Sequence, residues 1–289
     1  MQKILILGAK GMLGQALVIE FSDNKNYNLI AWDRENLDIT DSEKVIKSIT
    51  DIKPEVIINA AAYTDVDGAE TNKELLLKVN TQAVGYLTKA SRIVNALFIH
   101  ISTDYIFDGK NKKGYKETDF SKKSLNTYGE SKRLGEEALI REAGDKLKYY
   151  LIRTSWLFGL GGKNFVKTMI NTAYQRKDLS IVDDQQGKPT YAKDLANTIK
   201  YMIESDIESG IYHFTNEPKL TWYKFAKIIF DTKKEIDSSF PVPKVFPISS
   251  EEFSRPAKRP KYSVLLNKKL PKGRNIKMAL KDYLRNTDC

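Results

Sequence analysis

A glycine-rich turn between an apolar strand and an amphipathic helix limits the fold of this chain more than any other feature. An apolar run at 3–7 leads directly into Gly8-Ala9-Lys10-Gly11-Met12-Leu13-Gly14. In such a turn the first glycine allows a tight bend, the second lets a pyrophosphate approach the backbone, and the third lets helix pack on strand. We therefore expect a dinucleotide to bind here, in contact with Gly8, Lys10, Gly11, Met12, Leu13 and Gly14.

The first half of the chain alternates short apolar runs with helical segments of crossover length. Further strands are predicted at 28–32, 56–59, 97–102 and 149–153. This repeated βαβ pattern predicts an α/β fold with a Rossmann-type, doubly wound parallel sheet. We expect an NAD(P)-binding Rossmann domain at 1–150 and a smaller, partly interleaved α/β substrate-binding domain at 151–289. A strand near 178–188 is expected to return to the first domain.

Composition excludes several kinds of site and partner. One cysteine, Cys289, and two histidines, His100 and His213, are too few for a metal cluster, so we expect no metal. The net charge of +10 comes from lysines spread along the whole chain, without a nucleic-acid module, so no nucleic-acid partner is expected. Apolar runs are too short for a signal peptide or a membrane span, which favours a cytoplasmic protein without a membrane partner.

The end of the second predicted strand bears on the choice of nicotinamide cofactor. Asp33 is placed to accept from ribose hydroxyls, whereas Arg34 is placed to pair with a 2′-phosphate. We therefore expect NADPH, with NADH also usable. Asp38 and Ile39 are expected to border the adenine. The small residues at the next strand end let the cofactor pass closely, and the contacts predicted there are Ala60, Ala61, Ala62 and Tyr63.

A tyrosine and a lysine four residues apart indicate a proton donor. Tyr128 and Lys132 share one face of a helix, which brings phenol and ammonium together. A free tyrosine has a pKa near ~10, and the fixed cation is expected to bring the pKa of Tyr128 toward the working range. Ser102 or Thr103 can hold a carbonyl oxygen beside the phenol. We predict that Thr103, Tyr128 and Lys132 are catalytic, and that Ser102, Tyr128 and Lys132 contact the cofactor.

Together these motifs resemble the extended short-chain dehydrogenase/reductases and, among them, the dTDP-4-dehydrorhamnose reductase family. The resemblance covers nearly the whole chain. It rests on Gly8 to Gly14, Asn59-Ala60-Ala61-Ala62-Tyr63-Thr64, Ser102-Thr103-Asp104-Tyr105-Ile106-Phe107-Asp108-Gly109, Tyr128-Gly129-Glu130-Ser131-Lys132, Arg153-Thr154-Ser155-Trp156, Asn164-Phe165, Asp184-Gln185-Gln186-Gly187-Lys188-Pro189-Thr190 and Arg259-Pro260.

The resemblance implies NADPH-dependent reduction of the 4-keto group of a dTDP- or UDP-linked 4-dehydro-6-deoxyhexose. Tyr128 would protonate the sugar oxygen, Lys132 would hold the nicotinamide ribose, and Thr103 would bond the reacting oxygen. The sugar pocket would be lined by Asp104, Tyr105 and Trp156. Candidates for binding the diphosphate and the base are Asn164, Lys188 and Arg259.

Two other functions stay open. One is a bifunctional 3,5-epimerase/4-reductase that makes UDP-L-rhamnose, although relatives often use a cysteine where this chain has Tyr105; Lys163 or Lys167 would then be the second proton-transfer group. The other is a non-catalytic, NADP-binding subunit like the regulatory beta subunit of methionine adenosyltransferase. A homodimer is also open, but Gln15 and Lys193 stand where a metal-bridged dimer would need carboxylates.

Overall fold

The computed structural model describes residues 1–22 and 24–287, so Cys289 lies outside the described residues. The strands are β1 (Gln2–Leu7), β2 (Tyr27–Trp32), β3 (Val56–Asn59), β4 (Leu97–Thr103), β5 (Tyr149–Thr154), β6 (Leu157–Phe158), β7 (Asp178–Val182), β8 (Gln186–Gly187), β9 (Thr190–Tyr191), β10 (Gly210–His213), β11 (Leu220–Thr221) and β12 (Lys244–Ile248). The α-helices are α1 (Met12–Ser22), α2 (Ser42–Ile52), α3 (Lys73–Leu77), α4 (Ala83–Ile93), α5 (Thr127–Ala143), α6 (Phe165–Ala173), α7 (Ala192–Glu204), α8 (Trp222–Ile236) and α9 (Ile276–Arg285).

Six parallel strands of the described chain form the central sheet, in the order β2-β1-β3-β4-β5-β10. The chain steps outward from β1 to β2 and then crosses to β3 on the other side. The crevice beyond the carboxyl ends of β1 and β3 is therefore the switch point at which such sheets bind ligands. The predicted α/β fold with a doubly wound parallel sheet is confirmed.

Helices cover both faces of the central sheet. Leu17 and Phe21 of α1 pack with Ile199 of α7 on one face. On the other face, α2, α4 and α5 pack against the strands, with Ile49 and Leu87 among the fully buried residues. The inner strands β1, β3, β4 and β5 are mostly buried, which explains why they read as short continuous apolar runs rather than as alternating patterns.

A second core lies in the carboxyl half of the chain. Phe225 and Ile229 of α8 pack with Ile170 of α6 and Leu280 of α9. Small two-stranded sheets flank these helices: β7 pairs with β12, β6 with β9, and β8 with β11. This is the smaller α/β unit that the sequence predicts.

The strand predicted to return near 178–188 pairs elsewhere. β7 lies beside β12, with Leu179 opposite Val245, and the strand that joins the main sheet is β10, beside β5. The reason is helix α7, which packs against α1 and brings the chain back to the sheet edge only after residue 204. β5 runs across the division expected at 150, and that division remains a prediction.

Among the described residues, no helix combines the length and the apolar character that crossing a membrane requires. Over the same residues, His, Cys, Asp and Glu side chains form no cluster of three or more suited to a metal ion.

Candidate active site

The first turn of α5 carries the predicted proton donor. Asn126 caps this helix, and its side chain accepts a hydrogen bond from the Gly129 amide at 2.7 Å. At Gly129 an added Cβ would lie 2.0 Å from the Tyr105 carbonyl oxygen, so only glycine lets α5 approach the loop after β4 this closely. The close approach places Tyr128 beside Thr103, the last residue of β4.

The Thr103 hydroxyl and the Tyr128 phenol meet as predicted. Thr103 Oγ1 accepts from the Tyr105 amide at 3.2 Å and donates to Asp104 Oδ1 at 3.1 Å. The Tyr128 ring packs edge-on against Tyr105, with ring centres 6.0 Å apart. Burial raises the pKa of Tyr128 to about 12, and the Thr103 hydroxyl partly offsets that rise. The phenol therefore keeps its proton until a reacting oxygen takes it.

Lys132 is buried one turn further along α5. Its Nζ donates to the Ile101 carbonyl oxygen at 2.6 Å and lies 3.3 Å from His100 Nε2. Burial lowers the pKa of Lys132 to about 8, against the opposing effect of the Glu136 carboxylate. The expectation that Lys132 brings the pKa of Tyr128 toward neutrality is contradicted in this structure, because burial of the phenol raises that pKa.

The Ser102 hydroxyl is engaged two turns further along α5 than the phenol. It donates to Glu136, whose carboxylate also accepts from Arg153 Nε at 3.0 Å and Nη2 at 2.8 Å. The Arg153 and Glu136 side chains are 0% and 5% exposed. Of the two candidate hydroxyls, Thr103 alone is placed for catalysis, and this geometry does not support contact of Ser102 with the cofactor.

Asp104 is a buried carboxyl group next to the catalytic residues. Its Oδ2 has no hydrogen-bond partner among the described residues. Burial raises the pKa of Asp104 to about 7, although hydrogen bonds from Thr103 and Ser263 oppose the rise. An unpaired oxygen of this kind is suited to a sugar hydroxyl, in agreement with the predicted role of Asp104.

Asp104→Asn is expected to stabilise the protein at neutral pH. The raised pKa means that the wild-type side chain contributes stability below about pH 4 and loses it as pH rises toward about 7. The variant should gain roughly 2–4 kcal/mol at pH 8 and much less at pH 4. Thermal melts of both proteins from pH 4 to pH 8 measure this difference. A difference in melting temperature that stays the same from pH 4 to pH 8 would contradict the raised pKa of Asp104.

The glycine turn fits a pyrophosphate. Gly8 has a φ of 81°, and an added Cβ there would lie 2.7 Å from the Ala61 amide nitrogen. At Gly14 an added Cβ would lie 2.0 Å from the Gly8 carbonyl oxygen, so the helix packs directly on the turn. The amides of Gly8 and Ala9 both donate to the Trp32 carbonyl, at 2.9 and 3.0 Å, which fixes the turn to β2. The N-terminus of α1 is thereby held at the switch point, where it can bind an anion.

A cluster of charges follows β2. Lys10 Nζ lies 2.7 Å from Asp33 Oδ2 and 2.8 Å from Glu35 Oε2. Arg34 stands close enough to Asp38 for its charge to lower the pKa of that carboxyl, together with hydrogen bonds from Thr40. The structure therefore places Lys10 and Arg34 in the region where the sequence predicts the adenosine ribose.

The other predicted cofactor contacts lie at the carboxyl ends of the same strands. Ile39 is largely buried in the sheet core, whereas Ala60, Ala61 and Ala62 are partly exposed after β3. Tyr63 follows them. Its backbone amide donates to Asn80 Oδ1 at 2.9 Å, and its carbonyl accepts from Asn80 Nδ2 at 3.0 Å.

Asn80 is a positioning residue that sequence reasoning missed. It is buried in the π-helical turn Lys78–Gln82, and its Nδ2 also donates to Ser131 Oγ at 3.1 Å. It thus ties the segment after β3 to the helix that carries Tyr128 and Lys132. No local sequence signal marks this residue, because the contacts join segments 17 and 51 residues apart.

A pocket of about 760 Å³ adjoins the catalytic residues at Tyr105. Much of its wall is apolar, and that part includes Leu125, Phe165, Met169, Ile181, Trp222 and Phe253. Arg255, Lys258 and Arg259 supply positive charge. The guanidinium of Arg259 pairs with Asp67, with Nη2 2.9 Å from Oδ2. Positive charge and aromatic side chains therefore meet in this pocket, where an anion and a flat ring can both bind.

Five predicted substrate contacts lie outside the residues that line this pocket. Thr103 and Asp104 belong to the catalytic cluster described above, and the other three lie elsewhere. Trp156 stacks on Trp222, with ring centres 3.6 Å apart, so it supports a wall residue. Asn164 caps α6 and accepts from the Lys167 amide at 2.9 Å. Lys188 is buried and forms an ion pair with Glu217. Contact of these three side chains with a substrate remains a prediction.

Comparisons with known proteins agree with this geometry. The family model described as RmlD substrate binding domain matches residues 1–287. A dTDP-4-dehydrorhamnose reductase from Aggregatibacter actinomycetemcomitans is 42% identical over 273 residues, which cover 92% of this chain and 90% of the relative.

Solved structures give the same result. A dTDP-4-dehydrorhamnose reductase from Bacillus anthracis, in complex with NADP, is 36% identical and superposes with a TM-score of 0.91 over 99% of both chains. Its counterpart from Clostridium acetobutylicum is 39% identical, with a TM-score of 0.91 over 98% of this chain and 99% of the other. The matched family model and the relatives together show that this chain belongs to the dTDP-4-dehydrorhamnose reductase family.

Proposed function

We propose that this protein is an oxidoreductase that uses NADPH to reduce the 4-keto group of a dTDP- or UDP-linked 4-dehydro-6-deoxyhexose. The observation that carries the proposal is the meeting of Thr103, Tyr128 and Lys132 between the glycine turn and the pocket beside Tyr105. Similarity to the dTDP-4-dehydrorhamnose reductases from Aggregatibacter actinomycetemcomitans and Bacillus anthracis supports it. The structure of the second contains bound NADP.

The catalytic residues would deliver the proton that the carbonyl oxygen takes up during reduction. NADPH, when bound at the glycine turn, supplies a hydride to the carbon of the ketone. The Thr103 hydroxyl would turn its proton from Asp104 to the carbonyl oxygen, and the Tyr128 phenol would donate its proton to that oxygen as negative charge develops there. Lys132 binds the ribose next to the nicotinamide and helps to return a proton to Tyr128.

The pocket would hold the rest of the substrate. Arg255 would bind the diphosphate, because a guanidinium fork matches phosphate oxygens. Arg259 would add to this binding with the guanidinium hydrogens that its pair with Asp67 leaves free. Trp222 and Phe253 would stack on the base. Tyr105 lines this pocket and contacts Tyr128, so the deoxysugar would have to sit beside it, within reach of the neighbouring Asp104.

Arg34→Ala is expected to raise the KM for NADPH about tenfold while leaving the KM for NADH nearly unchanged. The reason is that Arg34, with Lys10, would face the 2′-phosphate that only NADPH carries. Steady-state kinetics with both cofactors measure the ratio. An equal rise in KM for both cofactors would mean that Arg34 does not bind the 2′-phosphate.

NADPH oxidation by the purified protein tests the proposal. The substrates are dTDP- and UDP-linked 4-keto-6-deoxyglucose, each with and without an added 3,5-epimerase. Turnover that depends on the epimerase is the expected result, and it also identifies the preferred base. Failure of every mixture would overturn the proposal and favour the NADP-binding subunit.

The geometry gives less support to a bifunctional enzyme. Lys163 and Lys167 are exposed and do not line the pocket, so neither is placed as a second proton-transfer group. Turnover without the epimerase would nevertheless establish that function. A homodimer and a cytoplasmic location also remain predictions.

A further inference from the structure

His100 is a buried imidazole that the proposed mechanism does not use. It lies on β4 and is fully inaccessible to solvent. Asn59 is its register partner on the neighbouring strand β3, with Nδ2 3.1 Å from His100 Nδ1. On its other side, His100 Nε2 lies 3.3 Å from Lys132 Nζ. The imidazole therefore links the end of β3 to the catalytic lysine.

The hydrogen bonds around Asn59 decide which nitrogen of His100 carries the proton. Asn59 Oδ1 accepts from the Ala61 amide at 3.2 Å, so the amide nitrogen of Asn59 faces the imidazole. An amide nitrogen can only donate, and His100 Nδ1 must therefore accept. Burial holds the pKa of His100 well below its ordinary value, so the ring is neutral and has one proton. That proton is on Nε2, facing Lys132.

An Nε2–H group suits an uncharged Lys132. An ammonium group has donors only, so the two would face each other donor to donor, whereas an amine offers a lone pair to Nε2–H. Lys132 keeps one donor for the Ile101 carbonyl in either state. The hydrogen-bond pattern and burial therefore both favour loss of the proton from Lys132.

We propose that Asn59 and His100 are positioning residues that set the protonation of Lys132: Asn59 fixes the Nε2–H tautomer of His100, and that tautomer holds Nζ and favours its amine form. The effect on catalysis rests on the proposed reductase function, but the tautomer does not. Lys132 would then exchange its proton during turnover instead of serving as a permanent cation.

Other groups around Lys132 also act on its proton. Glu136, on the next turn of α5, raises the pKa of Lys132, and its own carboxylate is paired with Arg153 of β5. Tyr128 stands one turn earlier on the same helix. The π-helical turn contributes a hydrogen bond between Asn80 and Ser131, and neither of these side chains is charged.

The tautomer can be observed directly. Long-range ¹H–¹⁵N spectra of the whole protein should show two histidines, because the chain has two. His213 is an internal control: its Nδ1 lies 3.2 Å from the Leu266 carbonyl oxygen, which requires a proton on Nδ1. We expect opposite tautomers, Nε2–H for His100 and Nδ1–H for His213. The spectrum of the His100→Leu variant, which lacks the His100 signals, assigns each set to its residue. An Nδ1–H tautomer at His100 would overturn the proposal, whether or not the protein is a reductase.

Asn59→Asp reverses the hydrogen-bond direction with little change of shape. The carboxylate still accepts from the Ala61 amide and now also accepts from His100 Nδ1–H, which leaves Nε2 to accept from a Lys132 ammonium. The His100 signals should change to Nδ1–H. The high-pH limb of kcat for reduction should move up by about one pH unit, because Lys132 keeps its proton longer.

A double-mutant cycle separates this route from a simple charge effect. Asn59→Asp is compared in the wild type and in His100→Leu. If His100 transmits the effect, the shift of the high-pH limb appears only when His100 is present. The same shift in both backgrounds, or no shift in either, would contradict the proposal.

Discussion

Tyr128→Phe is expected to lower the turnover of NADPH-dependent sugar reduction by about 10²–10⁴-fold, the usual contribution of a positioned proton donor. The phenol is held beside Thr103 Oγ1, and its pKa is raised to about 12, so at neutral pH it carries the proton that the sugar oxygen needs. Phenylalanine keeps the ring contact with Tyr105 but has no proton to give. Stopped-flow or steady-state NADPH oxidation measures the loss.

The affinity for NADPH should change little in this variant, which fluorescence titration can check. Tyr105→Phe is the matched control, because it removes a neighbouring phenol from the pocket wall without touching the proton donor. It should affect KM more than kcat. Full turnover by Tyr128→Phe would exclude the proposed mechanism.

Arg153→Leu is expected to lower the free energy of unfolding by about 3–5 kcal/mol, and the melting temperature by about 10 °C. The substitution leaves the Glu136 carboxylate buried without its cation, at a site where the glutamate is 5% exposed. Because Glu136 joins α5 to β4 through Ser102, loss of the pair should also disturb Tyr128 and Lys132.

Two controls test that explanation. Glu137→Gln removes a partner of Arg133 on the same helix. Because Glu137 is 58% exposed and Arg133 keeps its pair with Glu130, this change should cost less than about 1 kcal/mol. The double variant Glu136→Leu, Arg153→Leu removes both charges and should recover much of the lost stability. If the double variant is as unstable as Arg153→Leu, the cost lies in lost packing and not in an unpaired charge.

Local sequence patterns predicted the parts of the site that depend on local geometry. The glycine turn, the strand before it and the helix after it are consecutive, and Tyr128 and Lys132 are one helical turn apart. Their placement follows from the spacing of residues along a strand or a helix. The same reasoning also predicted the parallel sheet, because strands and helices alternate along the chain.

The remaining parts depend on the register between strands. Asn59 meets His100, and Ser102 meets Arg153, because these residues are opposite each other on neighbouring parallel strands. This register cannot be predicted from the sequence of either strand alone. For the same reason the sequence does not show that the Ser102 hydroxyl bonds to Glu136, which lies 34 residues away. The wall made by Phe253 and Arg255 was missed because a proline-rich loop has no period from which its direction can be read.

The late return of the chain to the central sheet has a consequence for synthesis on the ribosome. β5 ends at Thr154, but its outer neighbour β10 begins only at Gly210, and α7, which covers that end of the sheet, lies between them. A nascent chain that has reached residue 154 therefore exposes an unpaired strand edge and apolar surface. We expect the sheet to close only after this later stretch emerges, so a fragment cut at residue 150 should aggregate instead of forming a separate cofactor-binding protein.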